Sequence, residues 1–116
     1  MSEAQSEEVA AARELTAFQK NILTVLAERP RYGLAIKREL ESYYEEDVNH
    51  GRLYPNLDDL VAAGFVEKSA LDKRTNEYAL TDAGLEAVRD DLSWRLSHFV
   101  TDADRSDFVE SIVEEA

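Results

Sequence analysis

Apolar residues recur along this chain at intervals of three and four, and each such run marks a helix with one buried face. Phe18, Ile22, Val25 and Leu26 form the first face. Thr16, followed three positions on by Gln19, is a capping box, so a helix is predicted from Ala17 to about Ala27. Pro30 closes it, because proline cannot continue a helix and restricts the residue before it. Tyr32-Gly33 opens a second helix over residues 34–44, with Ile36, Leu40 and Tyr43 or Tyr44 inward. Lys37 and Arg38 point the other way, and Glu41 stands four residues after Lys37, at the spacing of a local ion pair. Glu45-Glu46-Asp47 is a polar connection, with Val48 plugging the core behind it. Leu53, Leu57, Leu60 and Val61 mark a third helix that starts near His50 with Asn49 as its N-cap. Pro55 falls in its opening turns, where few intrahelical hydrogen bonds are at stake. Gly64 follows at the position where a left-handed terminus favours glycine.

The period then changes. Phe65-Val66-Glu67-Lys68 and Tyr78-Ala79-Leu80 read as strands, joined by the polar segment Asp72-Lys73-Arg74-Thr75-Asn76. Thr81 is the N-cap of a long fourth helix whose apolar positions, Leu85, Val88, Leu92, Leu96 and Phe99, alternate like a coiled-coil seam. Trp94 lies off that seam. Thr101-Asp102-Ala103-Asp104 caps a last short helix carrying Phe108, Val109, Ile112 and Val113. At the other end, Val9 and Ala12 lead into Leu15 at helical spacing, within a stretch that is otherwise Glu- and Ala-rich. The pattern predicts a mainly α fold with a small β-hairpin. Residues 1–15 are an N-terminal tail or helix extension, 16–81 a winged helix-turn-helix, and 82–116 dimerisation helices. A two-stranded wing cannot cover both the seam and Trp94, so a partner helix is expected. The predicted interface is Leu85, Val88, Leu92, Leu96, Phe99, Phe108 and Ile112. The alternative is that these helices fold back on their own core.

Composition complicates this picture. The 116 residues fit one domain with a modest core. The formal charge is −12, whereas affinity for DNA rests on neutralising phosphates. The acid is unevenly spread. Residues 1–48 are net −4 and residues 81–116 net −7, while residues 49–80 hold four cations against five acids. The predicted reading unit is thus near neutral and its flanks are acidic. Nine of the thirteen cations are Arg and four are Lys. An acidic, Arg-biased surface suits a protein solvated in molar salt, where the Debye length shrinks to ~3 Å. It also suits an acidic protein-interaction module within a transcription complex, which is the alternative function.

Within the near-neutral unit, the residue types match base and phosphate chemistry. Arg52 can address guanine and Asn56 adenine, and both lie away from the Leu53/Leu57/Leu60 stripe. Asn49 and His50 sit at the helix N-terminus, which in helix-turn-helix proteins points at the groove. Tyr54 can donate its hydroxyl to a phosphate or lie in the core. Asp59 repels phosphate, so the end of the helix is expected to stay out of the groove. Lys73, Arg74, Thr75 and Asn76 form a wing tip suited to the narrow minor groove. Arg31, Lys37 and Arg38 are candidate anchors for the DNA backbone. With acids close to phosphate, binding should take up cations, and a shallow or inverted salt dependence is expected.

Other chemistries find little footing. There is no cysteine, so disulfides and thiolate metal sites are out. His50 and His98 belong to no nucleophile or zinc motif, and no glycine loop is built to cradle a phosphate. His50 beside Glu45, Glu46 or Asp47 is too sparse a set for a metal. No enzyme, cofactor or metal is expected. A small-molecule ligand in the dimer groove stays open. No apolar run reaches membrane-spanning length and the first residues are acidic rather than basic, so the expected location is the cytoplasm.

Several segments resemble the PadR-like winged-helix transcription regulators. They are Leu23 to Leu26, Pro30-Arg31-Tyr32-Gly33-Leu34-Ala35-Ile36, Gly51-Arg52-Leu53-Tyr54-Pro55-Asn56-Leu57-Asp58-Asp59-Leu60, Gly64-Phe65-Val66, and Tyr78-Ala79-Leu80-Thr81-Asp82-Ala83-Gly84. The resemblance covers about residues 16–85, and the acidic, Arg-biased surface is similar to that of haloarchaeal members. It implies a homodimer on a partly palindromic promoter site, each third helix in a major groove and each wing in the flanking minor groove. It also implies work at high salt, in an oxidative or environmental stress response. The C-terminal arm is short for the family, which argues against a multidrug-type ligand pocket. Without cysteine, thiol oxidation cannot be the sensor of an oxidant.

Overall fold

The structure, a computed structural model, describes residues 3–116; Met1 and Ser2, the start of the expected tail, lie outside it. Six helices and three short strands follow one another as α1 (Glu3–Ala12), α2 (Ala17–Glu28), β1 (Arg31–Tyr32), α3 (Gly33–Tyr44), α4 (His50–Ala62), β2 (Val66–Ala70), β3 (Asn76–Leu80), α5 (Asp82–Phe99) and α6 (Ala103–Glu115). The predicted caps form. The Thr16 hydroxyl accepts from the Gln19 N–H and the Gln19 side chain accepts from the Thr16 N–H, each at 3.1 Å. Asn49 Oδ1 accepts from the Gly51 N–H at 2.6 Å. Pro55 cannot donate to the Gly51 carbonyl, yet α4 runs through it unbroken, because one lost bond early in a packed helix is affordable.

The core joins α2 (Phe18, Ile22, Leu23, Leu26), α3 (Ile36, Leu40), α4 (Leu53, Leu57, Leu60), Val48, Phe65, Val66 and Tyr78. Tyr43 is exposed, and Tyr44 is the one that packs inward. The sheet is wider than the expected hairpin. The two-residue strand β1 adds to it, giving the antiparallel order β1-β3-β2, with Arg31 opposite Tyr78 and Lys68 opposite Tyr78 on the other side. Two residues carry no readable period, so no alternation could announce β1.

Two turns tie the wing to the helices. Gly64 has φ 87°, the left-handed value expected at a helix end. Thr81 then donates its N–H to the Phe65 carbonyl at 3.1 Å and its hydroxyl to the Gly64 carbonyl at 2.6 Å, while the same hydroxyl accepts from the Gly84 N–H. The end of α4 and the start of α5 are thereby clamped together.

The expected boundary at residue 82 is not where the body ends. Gly84 and Ala87 of α5 are buried, and Ala83 and Val88 pack on the core. The arm leaves the body only after Asp91, which Lys20 of α2 meets at 3.5 Å, and Val88 packs on the core of its own chain. Nor do residues 7–15 hang loose: Val9 and Ala12 of α1 are buried, and the Arg13 guanidinium meets Asp90 with two hydrogen bonds of 3.0 and 2.9 Å. That hydrogen bond to Arg13 holds the Asp90 carboxyl below its usual range, and the pair is largely exposed. Beyond Asp90, Leu92 is 53% exposed and Trp94 61%. α6 buries no residue and is held at a corner, where Phe99 and Phe108 meet edge to face at 5.7 Å and Arg105 donates to the Phe99 carbonyl and the Thr101 hydroxyl. The arm explains a radius of gyration of 15.5 Å, against about 13 Å for a compact chain of this length. Among the described residues, no helix is long and apolar enough to cross a membrane.

Candidate nucleic-acid interface

The helix-turn-helix is α3 and α4, and the wing is the β2–β3 hairpin. The relative placement of α3 and α4 rests on a glycine–tyrosine fit. Gly33, the first residue of α3, is buried, and a Cβ there would run into the ring and hydroxyl of Tyr54 on α4. The Tyr-Gly entry of one helix is therefore the seat for the tyrosine of the other. Tyr54 lies partly in the core, and His50 stacks on it with rings parallel within 4° at 5.4 Å. Tyr54, Tyr78, Arg74, Thr75 and Asn76 line a groove between α4 and the wing, closed at its far side by Tyr32 and Leu34 at the start of α3. Tyr32 and Leu34 are about half exposed and were not singled out by the sequence pattern; nothing in period or composition distinguishes an outward Tyr or Leu at a helix start from a core residue.

The wing tip is ordered by Asp72, whose carboxylate accepts from the Arg74 N–H at 2.8 Å, and by a Leu71 N–H to Thr75 carbonyl bond of 2.9 Å. The Arg74 N–H pulls the Asp72 carboxyl below its usual range, with Thr75 helping. Asp72 thus stays charged beside Lys73 and Arg74 and offsets part of their field. Lys73 and Arg74 project into solvent.

The face of α4 opposite the leucine stripe is exposed at Arg52 and Asp59 and half-buried at Asn56. His50, Gly51, Arg52, Pro55, Asp58, Asp59 and Ala62 are its exposed positions, around the buried Leu53, Leu57 and Leu60. Arg52 and Asn56 sit on the flank toward α2. The Arg52 guanidinium lies 4.0 Å from the centre of the Phe18 ring. Asn56 is half-buried and its amide is already in use: Nδ2 donates to the Arg52 carbonyl at 2.7 Å and Oδ1 accepts from Gln19 Nε2 at 3.1 Å. The outward face of the reading helix is therefore small at its start and acidic further along, with Arg52 its lone cation.

Two of the tentative backbone anchors are occupied elsewhere. Arg31 is 7% exposed; its guanidinium donates to the Val25 carbonyl and Glu28 and pairs with Glu39 at 3.5 Å. It is a buried strut between α2 and α3, not a phosphate anchor. The reason is β1, which turns Arg31 inward beside Tyr78. Lys37 pairs with Glu41 at 2.9 Å, and Glu41 also accepts the Val48 N–H, which with the lysine lowers its pKa. Of the three, Arg38 alone is exposed, with no ion pair among the described residues. No group of three or more metal-binding side chains occurs among the described residues, and His50 is engaged with Tyr54.

Comparison with known proteins bears on this geometry. The model of the transcriptional regulator PadR-like family matches residues 22–90. H. salinarum RosR grown from NaBr is 75% identical, covers 90% of this chain and 94% of its own, and superimposes with a TM-score of 0.89. The RosR-S4 complex of the same organism's protein is 72% identical over 93% and 94% of the two chains, with a TM-score of 0.90. Bacillus subtilis PadR, solved with operator DNA, shares the fold at 24% identity and a TM-score of 0.56, over 66% of this chain and 47% of its own. Among curated proteins no match was found.

Proposed function

The chain belongs to the PadR-like family of transcriptional regulators, and from that we propose that it works in the cytoplasm as a homodimer on promoter DNA at high salt, in an oxidative or environmental stress response. The observation that carries the DNA reading is the shared groove. Tyr54 of α4, with His50 stacked on it, lines one groove with Arg74, Thr75 and Asn76 of the wing, so one duplex surface can meet both elements. The N-terminal half of α4 enters the major groove with Gly51 and Pro55 foremost and Arg52 reaching from the flank. Tyr54 orients His50 rather than addressing bases, and Asn56 orients the helix. Lys73 and Arg74 follow the adjacent minor groove, with Thr75 and Asn76 fixing the turn, and Arg38 steadies the backbone. The seam of Leu85, Leu92, Phe99, Phe108 and Ile112, all exposed, with the half-buried Leu96 between them, joins two copies. Regulators of this family act by binding, and no catalytic step is proposed for this chain.

Selection of duplexes from a randomised pool by the purified protein tests the reading. Arg52→Ala should lose ~1–3 kcal/mol of discrimination at the positions it reads. Lys73→Ala should weaken binding to all duplexes alike. Wild-type discrimination in Arg52→Ala would remove the residue from the interface, and failure to retain any duplex would favour the acidic protein-interaction module instead.

The acid on the ridge makes a second prediction. Asp58 and Asp59 on α4 and Asp72 on the wing lie close to where phosphates would pass. Their charge has to be screened by cations taken up on binding, which opposes the counterion release that normally weakens binding as salt rises. Affinity for a selected duplex, followed by anisotropy from low to molar KCl, should change little or increase. A steep fall would mean that these carboxylates stay clear of the DNA.

A further inference from the structure

Gln19 sits on α2, outside the helix-turn-helix, and is used twice. Its Oε1 closes the capping box by accepting from the Thr16 N–H at 3.1 Å, and its Nε2 donates to Asn56 Oδ1 at 3.1 Å, 37 residues away. Asn56 in turn donates Nδ2 to the carbonyl of Arg52 at 2.7 Å. The amide of Asn56 cannot turn over, because that would set its oxygen against the Arg52 carbonyl and its nitrogen against the Gln19 amide nitrogen. Next to this chain of bonds, the Arg52 guanidinium lies over the ring of Phe18 of α2, 4.0 Å from its centre. Among the described residues the Arg52 guanidinium donates to no acceptor, which leaves its N–H donors for the bidentate contact to guanine that its fork geometry suits.

We propose that Gln19 and Phe18 are positioning residues for DNA reading: they fix the first turns of α4 and the plane of Arg52, so that specificity depends on a helix that need not enter the groove. The inference rests on the DNA reading above. The residue type supports it. A capping box needs only an acceptor at the third position, and Glu serves as well as Gln there. Only an amide can accept from Thr16 and donate to Asn56 at once. The glutamine is thus required by the bond to α4 and not by the cap.

That difference supplies the test. Gln19→Glu keeps the cap acceptor and removes the donor to Asn56, whereas Gln19→Ala removes both. Each variant, Arg52→Ala, and the Gln19→Glu/Arg52→Ala double variant are put through selection from a randomised duplex pool, with thermal melting alongside. Gln19→Glu is expected to melt slightly below wild type, because its carboxylate faces Asn56 Oδ1, and to lose about tenfold in base preference at the positions that Arg52→Ala flattens, and at no others. In the double variant the profile should equal that of Arg52→Ala alone. Gln19→Ala should flatten the same positions and also melt lower. The proposal is overturned if Gln19→Glu keeps the wild-type profile, if it weakens all duplexes alike, or if its effect adds to that of Arg52→Ala. If the wild-type protein enriches no sequence, the DNA reading falls first and takes this inference with it.

Discussion

Replacing Gly84 by alanine is expected to lower the melting temperature by about 10 °C. In isolation the change should help, since alanine is favoured over glycine in a helix by about 1 kcal/mol. Here the helix is pressed onto a strand. A Cβ on Gly84 would fall inside the contact distance of the Phe65 carbonyl oxygen and also touch Leu80. That carbonyl cannot swing away, because it accepts the Thr81 N–H that starts α5. Overpacking against backbone costs up to about 3 kcal/mol or more, so sterics outweigh propensity. Circular dichroism melting checks the result. A melting temperature at or above wild type would show that α5 can shift off the wing at no cost, and the clamp described for Thr81 would then be unimportant. The glycine at the end of the Tyr-x-Leu-Thr-x-x-Gly segment is accounted for by this close approach and not by backbone freedom.

Leu92→Glu is expected to leave the folded chain intact, convert the proposed dimer to a monomer, and cut affinity for a two-half-site duplex by about a hundredfold or more. The leucine is largely exposed in the single chain, so a charge there costs the monomer little. Across a dimer seam the same charge is buried unpaired, which the interface cannot tolerate. Two linked reading heads gain about 10²–10⁴ in avidity over one, and the monomer forfeits it. Light scattering reads the mass and anisotropy the affinity. A dimer that persists in Leu92→Glu would place the interface elsewhere, and the apolar residues of α6 would then need another partner. A 13-residue helix that buries none of its side chains is marginal in water by itself, which is why a partner is expected at all.

The family resemblance and the helical stripes agree with the structure because both depend on local rules. Thr16, Asn49 and Thr81 cap the helices that the periodicity delimited, and Gly64 turns where a left-handed residue was required. Where the reading failed, a long-range neighbour decided. Arg31 resembles any surface cation beside a proline, until β1 pairs with β3 and carries it between Glu28 and Glu39. Asn56 has the side chain to read adenine, yet Gln19 from 37 positions away already holds its amide. On α4 the expected outward face is exposed at Arg52 and Asp59, while Asn56 between them is half-buried. The stripe fixes which side is buried but not what α2 covers on the flank.

The sequence by itself determined the order of the helices, their caps, the hairpin with its cationic tip and the near-neutral charge of the reading unit on an acidic chain. These follow from spacing and residue type within a dozen positions. Only the tertiary structure decided which cations are free, because a cation's availability depends on the acids and carbonyls packed against it. It also decided that α5 begins as core before it becomes an arm, since the close approach of Gly84 to Phe65 joins segments 19 residues apart. Arg52 shows both: its place on α4 is legible from the Leu53 stripe, while the ring that orients it comes from another helix.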